Sequence, residues 1–242
     1  MKEYIKKISP KLMIKIYHMI RVFFVNRKFK NLSNSEIFSI IYKEKIWNSE
    51  SSKDFDSGWG SHEKEIINPY ISRVNMFLKS KDEQLVVVDL GCGDFNVGKN
   101  LVEHSKRYIG VDIVKELVER NKLLFNVDKL EFLNLDILKD ELPSGDCIFI
   151  RQVLQHLSNN DISRILGKFE NYRYVVVTEE VPLGNFVSNL DKPTGKDTRM
   201  YLNSGLDIEK PPFNFETKKK EILIKIKTPF SSCIISTLYE NW

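Results

Sequence analysis

The apolar positions change period twice along the 242-residue chain. Over residues 11–25 they recur at helical spacing: Leu12, Ile16, Met19, Ile20 and Phe23 share one face, and Lys11, Lys15 and His18 another. Pro10 suits the first turn of such a helix. A second helical stretch starts at Ser35 and carries Ile37, Phe38, Ile40 and Ile41 toward Trp47, with Tyr42 and Trp47 read as core. SSKDFDSGWGSH (51–62) is polar and broken by glycine, so a loop is expected, followed by a helix over 63–79.

From residue 85 the period shortens. LVVVDL (85–90) is a continuous apolar run of the kind buried on both faces of a parallel sheet. A helix over 97–105 leads to the strand RYIGVD (107–112), and a helix over 114–125 to KLEFLNLD (129–136). DCIFIR (146–151), a helix over 161–169 and YRYVVVTEE (172–180) complete the alternation. This order predicts a doubly wound α/β sheet with right-handed crossovers. A stretch over 182–215, rich in Pro, Gly, Asn and Asp, then interrupts it, and connections of that length commonly carry function. EILIKIK (221–227) and CIISTLYE (233–240), joined by TPFSS, predict a C-terminal antiparallel hairpin that brings the sheet to seven strands. The expected layout is a basic helical arm (1–47), a loop and helix capping the site (48–84) and a core (85–242) with a substrate loop at 182–215.

Composition places the chain among soluble globular proteins, with 42% hydrophobic and 29% charged residues. The charge is uneven: residues 1–47 hold 11 basic and 3 acidic side chains, net +8, which leaves 26 against 30 elsewhere, net −4. The arm has two readings, a packing helix or peripheral contact with an anionic membrane surface through residues 11–25. Lys15, His18 and Arg21 interrupt it too often for it to span a bilayer. Cys92, Cys147 and Cys233 lie far apart without metal-ligand spacing, which favours free thiols in a reducing cytoplasm and no metal site. The expected location is cytoplasmic, with the inner face of the membrane open to the arm.

The chemistry concentrates in VVVDLGCGDFNVG (86–98). A nicotinamide fingerprint would place a third glycine where Asn96 stands, and an apolar residue where Asp89 stands. A carboxylate there is awkward beside a pyrophosphate and welcome beside a cationic ligand. The Asp-x-Gly-x-Gly pattern resembles motif I of the class I S-adenosylmethionine-dependent methyltransferases, which implies a Rossmann-like fold. The resemblance implies that Asp89, Gly91 and Gly93 meet the methionine end of the cofactor. It implies that Asp112, with Ile113, meets the ribose hydroxyls, and that Asp136 and Ile137 hold the adenine. Arg151 lies at the end of the fourth strand, facing cofactor and acceptor.

Four further signals resemble a subgroup found in bacterial surface-polysaccharide (capsule) gene clusters: SGWGS (57–61), RQVLQHLSN (151–159), NLDKPTG (189–195) with Arg199, and NSG (203–205) with PPFN (211–214). That implies a small-molecule acceptor, a saccharide or phosphate-bearing precursor, methylated to leave S-adenosylhomocysteine. A sugar hydroxyl needs a general base, whereas an ionised oxygen needs cationic positioning groups. His156 is the first base candidate, with bracing of the site as its other reading. Glu180, with Glu179, is the alternative. Arg151 and Arg199 are either an anion clamp or structural ion pairs. Trp59 is a sugar-stacking platform or an apolar anchor, and Asn203 completes the substrate-side set. A nucleic-acid methyltransferase would need a basic track into the cleft, and a non-catalytic membrane-associated module would have no use for an intact Asp89–Asp112–Asp136 set. Liposome co-sedimentation separates the readings of the arm. If the basic face meets lipid, the full chain pellets with anionic vesicles and a chain beginning near Asn31 does not; equal pelleting identifies a packing helix.

Overall fold

The computed structural model describes residue 29, residues 31–47 and residues 55–242. The helix expected over 10–25, and the membrane contact attached to it, lie outside those residues. The chain divides into two compact units, 1–33 and 34–242. Among the described residues no helix is long and apolar enough to cross a membrane.

In the second unit, α1 (Asn34–Lys43) and α2 (Lys64–Lys79) precede the sheet. β1 (Val86–Leu90), β2 (Arg107–Asp112), α3 (Lys115–Leu124), β3 (Leu130–Asn134), β4 (Cys147–Arg151), α4 (Asn159–Phe169) and β5 (Tyr174–Pro182) follow. Two short strands, β6 (Val187–Ser188) and β7 (Ser204–Gly205), pair with each other, and β8 (Lys219–Lys227) and β9 (Ser232–Glu240) form the hairpin. The seven-stranded sheet runs β3-β2-β1-β4-β5-β9-β8, parallel except where β9 meets β5 and β8.

Both faces of the central strands are buried, which is why they read as unbroken apolar runs. Successive residues of β4 alternate between two cores: Cys147 and Phe149 pack with Tyr70, Val74 and Phe77 of α2, while Ile148 and Ile150 pack with Ile162, Ile165 and Phe169 of α4. α4 starts where Ser158 accepts a hydrogen bond from the Asp161 amide at 3.2 Å, an N-cap that stabilises a helix by about 1 kcal/mol.

Two expected helices differ. The helix predicted over 97–105 is instead a pair of 3-10 turns, Gly98–Asn100 and Val102–His104. Asn100 Nδ2 donates to the carbonyls of Asn96 and Val97, and Ser105 Oγ to that of Val102, so side chains take the acceptors that an α-helix would use. The helix predicted to run to Trp47 ends at Lys43, because Lys45 takes a left-handed φ of 53°. That turn returns Trp47 against Phe38 and Tyr42, with ring centroids 6.0 and 5.4 Å away.

The long segment after β5 is tied back to the end of β4 by Arg199. Arg199 is 2% exposed. It donates to the carbonyls of Leu190 (3.1 Å), Leu154 (3.3 Å), Gln155 (3.4 Å) and Leu157 (2.9 Å), and to Asn159 Oδ1 (2.7 Å). Arg199 is therefore a buried staple, which corrects its expected place on the substrate side. Asn203 is corrected too: it is exposed, holds the left-handed φ of 50° that ends the 3-10 turn Arg199–Leu202, and lies away from the cleft. Arg199→Ala leaves those carbonyls without their donor and is expected to cost about 3 kcal/mol. The expected observation is a lower urea midpoint at unchanged slope, with little recovery in Arg199→Lys, whose single ammonium cannot span the set.

Candidate active site

In an open parallel sheet, ligands bind beyond the carboxyl ends of the strands where strand order reverses. Here the reversal lies between β1 and β4, and a cleft of about 450 Å3 opens there. It collects Asp89, Gly91 and Gly93 after β1, Asp112 and Ile113 after β2, Asp136 and Ile137 after β3, Arg151 and His156 after β4, and Glu180 from β5. Trp59 joins them from the preceding loop.

The β1 loop turns through two left-handed residues, Gly91 (φ 73°) and Gly93 (φ 58°). A β-carbon on Gly91 would collide with Val153, and one on Gly93 with Ser57 Oγ. Asp112 fixes this loop to β2 by accepting from the amides of Gly93 (3.1 Å) and Val114 (3.0 Å), and burial pushes its pKa up to about 6. Asp89 is 8% exposed and accepts from Tyr108 Oη at 2.8 Å. Burial raises its pKa to about 7, against the pull of Tyr108 and Arg151. Asp136 accepts from the Leu138 amide at 3.0 Å and pairs with Lys139 at 3.2 Å.

The loop read from the sequence only as a glycine-rich connection lies across this site. Asp94 is its anchor. It accepts from the Ser57 amide (3.0 Å) and pairs with His62 Nε2 (2.6 Å), while its own amide donates to Ser57 Oγ (2.9 Å). The hydrogen bond to Asp94 raises the His62 pKa. Burial acts to raise the pKa of Asp94, but His62 and the amides of Ser57 and Asn96 hold it below the usual carboxylate range. From the other side, Arg151 donates to Ser61 Oγ (3.1 Å), Gln152 Oε1 (3.1 Å) and the Gly60 carbonyl, with its guanidinium 5.2 Å from the Tyr70 ring centroid. Its Nε is buried without a partner among the described residues.

His156 ends a 3-10 turn held from both sides. Glu179 accepts from the amides of Leu154 (2.9 Å) and Gln155 (3.1 Å), and Arg199 takes the carbonyls. Burial raises the Glu179 pKa to about 8, with the two amides and Arg199 pulling the other way. Lys192 Nζ donates to the His156 carbonyl at 2.9 Å. The imidazole lies 4.7 Å from Trp47, and burial together with Lys192 lowers its pKa to about 3. Its Nδ1 is buried and unpartnered among the described residues. Of the two glutamates on β5, Glu179 therefore supports the turn, while Glu180 faces the cleft and accepts from Ser232 Oγ.

Several cleft residues escaped the sequence reading, Phe38, Tyr42, Asp94 and Phe230 among them. Phe38 and Tyr42 are spaced like core residues, and nothing local marks them otherwise. Asp94 follows Gly93 directly, an acid inside a glycine turn, which was the available signal. Phe230 sits at the tip of the final hairpin between Pro229 and Ser231, and an aromatic in an exposed turn was a signal as well.

A family model described as a methyltransferase domain matches residues 88–172. A search of curated proteins gives no match. Among solved structures, the N-methyltransferase NodS from Bradyrhizobium japonicum WM9, in complex with S-adenosylhomocysteine, is similar with a TM-score of 0.55 at 12% identity, over 86% of this chain and 99% of that one. Magnesium protoporphyrin IX methyltransferase (ChlM) from Synechocystis PCC 6803, with bound S-adenosylmethionine, gives 0.53 at 14% identity, over 87% and 99%. The N-terminal domain of EvdMO1, solved in the presence of S-adenosylhomocysteine and D-fucose, gives 0.54 at 13% identity, over 88% and 99%. Residues 88–172 thus match a methyltransferase domain, and the chain carries the fold of the S-adenosylmethionine-dependent methyltransferases.

Proposed function

We propose that this methyltransferase uses S-adenosylmethionine to methylate an oxygen of a small saccharide acceptor, as implied by the surface-polysaccharide signals in its sequence. The observation that carries the cofactor reading is Asp89: a buried carboxylate with a pKa near 7 is in want of a positive partner. The ammonium and sulfonium of the cofactor supply that charge, and the unpartnered Nε of Arg151 suits the carboxylate at the same end. Asp112 and Asp136, each fixed by backbone amides, would then accept from ribose and adenine. The nearby EvdMO1 structure, solved with D-fucose present, lends the saccharide reading a precedent. A nucleic-acid acceptor is disfavoured because Arg151 is the only lysine or arginine among the described residues lining the cleft.

When bound, the cofactor supplies a methyl group already activated by its sulfonium. The chain must align the acceptor oxygen, exclude water and take up its proton. Covering the β1 loop with Ser57–Ser61 serves the exclusion of water. For the proton, Glu180 is the better placed group. His156, with a pKa near 3, stays neutral through the physiological range, accepting a hydrogen bond while holding a proton poorly. Glu180→Gln, which keeps the acceptor for Ser232, is expected to lower kcat about 100-fold. His156→Ala should leave kcat within roughly tenfold and raise KM. Steady-state kinetics on a methylated acceptor checks both, and the reverse ranking would make His156 the base.

Cofactor binding has its own signature. A cationic ligand beside Asp89 lowers its pKa from about 7, so binding at neutral pH releases a proton, and above about pH 9 the carboxyl is already ionised. Calorimetry with S-adenosylhomocysteine should give a heat that varies with buffer ionisation enthalpy at pH 7, where the ligand's amino group is already protonated, a dependence that disappears in Asp89→Asn. A buffer-independent heat in the wild-type chain at pH 7 would exclude Asp89 from that role, and absence of binding would overturn the cofactor assignment.

A further inference from the structure

Phe230 is 64% exposed, yet it is held in place from two directions. Its ring meets Trp59 edge-on, with centroids 5.0 Å apart and planes at 74°, and both side chains line the cleft. Its backbone is fixed by hydroxyls: the Phe230 amide donates to Thr228 Oγ1 at 3.1 Å, the hydroxyls of Thr228 and Ser232 bond each other, and Ser232 Oγ donates to Glu180. The Thr228 amide donates to the Ser232 carbonyl at 2.9 Å, and the Leu183 amide to that of Ser231 at 3.1 Å, closing the turn onto β5. A large aromatic held in water at the mouth of a cleft, with an ordered turn beneath it, is a feature that stability alone does not explain. One connected network positions both the ring of Phe230 and the carboxylate of Glu180.

The charges of the cleft restrict what lies against that wall. Arg199 is sequestered under the turn after β4. Arg151 donates to the Gly60 carbonyl, Ser61 and Gln152, and its remaining donor suits the cofactor carboxylate. Among the described residues lining the cleft there is no further lysine or arginine, and Glu180 presents its carboxyl group on the acceptor side. Among the described residues, a phosphate would therefore meet a carboxyl group and no cation beyond Arg151, which is already engaged by the Gly60–Ser61 loop and Gln152. A neutral ring meets two aromatic faces and a hydrogen-bond acceptor, the mixture of apolar wall and few polar groups that small-molecule subsites use.

We propose that Phe230 and Trp59 form the ring-binding wall of the acceptor subsite, and that this subsite selects an uncharged glycoside over its phosphorylated form. The inference rests on the methyltransferase reading and narrows its acceptor to the neutral alternative. It assigns Phe230 a specificity role in contact with the acceptor, and it predicts that methylation acts on a sugar bearing no phosphate within the cleft. A phosphate-removing or glycosyl-transferring step would thus lie upstream of it where the sugar is first made as a phosphate.

The test uses the full chain saturated with S-adenosylhomocysteine and a panel of methyl hexosides and methyl 6-deoxyhexosides, each paired with the corresponding sugar phosphate. Binding is read by saturation-transfer NMR and titrated for affinity. At least one uncharged glycoside is expected to bind, with its phosphate at least tenfold weaker. Phe230→Ala should weaken the glycoside about tenfold, the equivalent of losing one well-placed aromatic contact, while S-adenosylhomocysteine affinity stays within twofold. Phe230→Trp should retain binding, and Phe230→Leu, which keeps the bulk without the ring, should behave like Phe230→Ala. Equal or tighter binding of the phosphate overturns the proposal. So does an unchanged glycoside affinity in Phe230→Ala, or failure of every uncharged ring to bind a chain that does bind S-adenosylhomocysteine. Failure to bind S-adenosylhomocysteine itself overturns the methyltransferase reading instead.

Discussion

The active-site half of the molecule depends on how one short turn after β4 is satisfied. A 3-10 turn leaves amides and carbonyls without partners, and burying them unpaired costs on the order of 1–3 kcal/mol each. Here a buried carboxylate takes the amides and a buried guanidinium takes the carbonyls: Glu179 on Leu154 and Gln155, Arg199 on Leu154, Gln155 and Leu157. Arg199 favours the ionised form of Glu179 across the turn they hold, against the burial that raises the Glu179 pKa to about 8. Two consequences follow for function. His156 is carried at the end of this fixed turn, so its imidazole has little freedom. Because Arg199 belongs to the long segment after β5, that segment is part of the site's scaffold, and Thr194 extends it by accepting the Ser158 amide at 2.9 Å.

The covering loop follows a similar logic on the opposite wall. Asp94, one residue beyond the glycine turn, joins the β1 loop to Ser57 and His62, and Asn96 Nδ2 adds a bond to the Ser61 carbonyl at 2.8 Å. Arg151 fastens the same loop to the end of β4. The glycines at 91 and 93 are needed as much for this packing as for any ligand, since Val153 and Ser57 occupy the space where their β-carbons would stand.

The sheet was legible because strands buried on both faces leave an apolar signature that little else produces, and the hairpin because only five residues separate its two runs. The acids at the ends of β1, β2 and β3 were legible as a set, since the order of the strands brings their carboxyl ends together. Distance in sequence hid the rest. Arg199 was read as an anion clamp or a structural ion pair, although its role is fixed by carbonyls about 40 positions earlier, which no local pattern encodes. Glu179 and Glu180 are neighbours with opposite tasks, separated by the alternation of β5 and by which turn lies above each. The helix expected over 97–105 failed for a local reason, because side chains of Asn100 and Ser105 compete for the backbone.

Charge divides the cleft in a way that matches the reaction proposed for it. The cofactor side holds Asp89, Asp94, Asp112 and Asp136, and burial lifts Asp89 and Asp112 to about 7 and 6. Since their pKa values in the folded chain exceed those of the unfolded one, these two groups favour the fold progressively less as pH rises from about 4 and least above about 7, where both are ionised, and a bound cation relieves that strain. The acceptor side presents aromatic rings, a neutral histidine and Glu180, with Arg151 at the boundary. In the proposed reaction, transfer of a methyl cation equivalent from one side to the other would move positive charge away from the carboxylates and leave a proton to be taken up beside Glu180. An environment arranged for that shift before the reactants arrive needs little reorganisation during the step, which is the form of electrostatic assistance a rigid, doubly braced site is built to give.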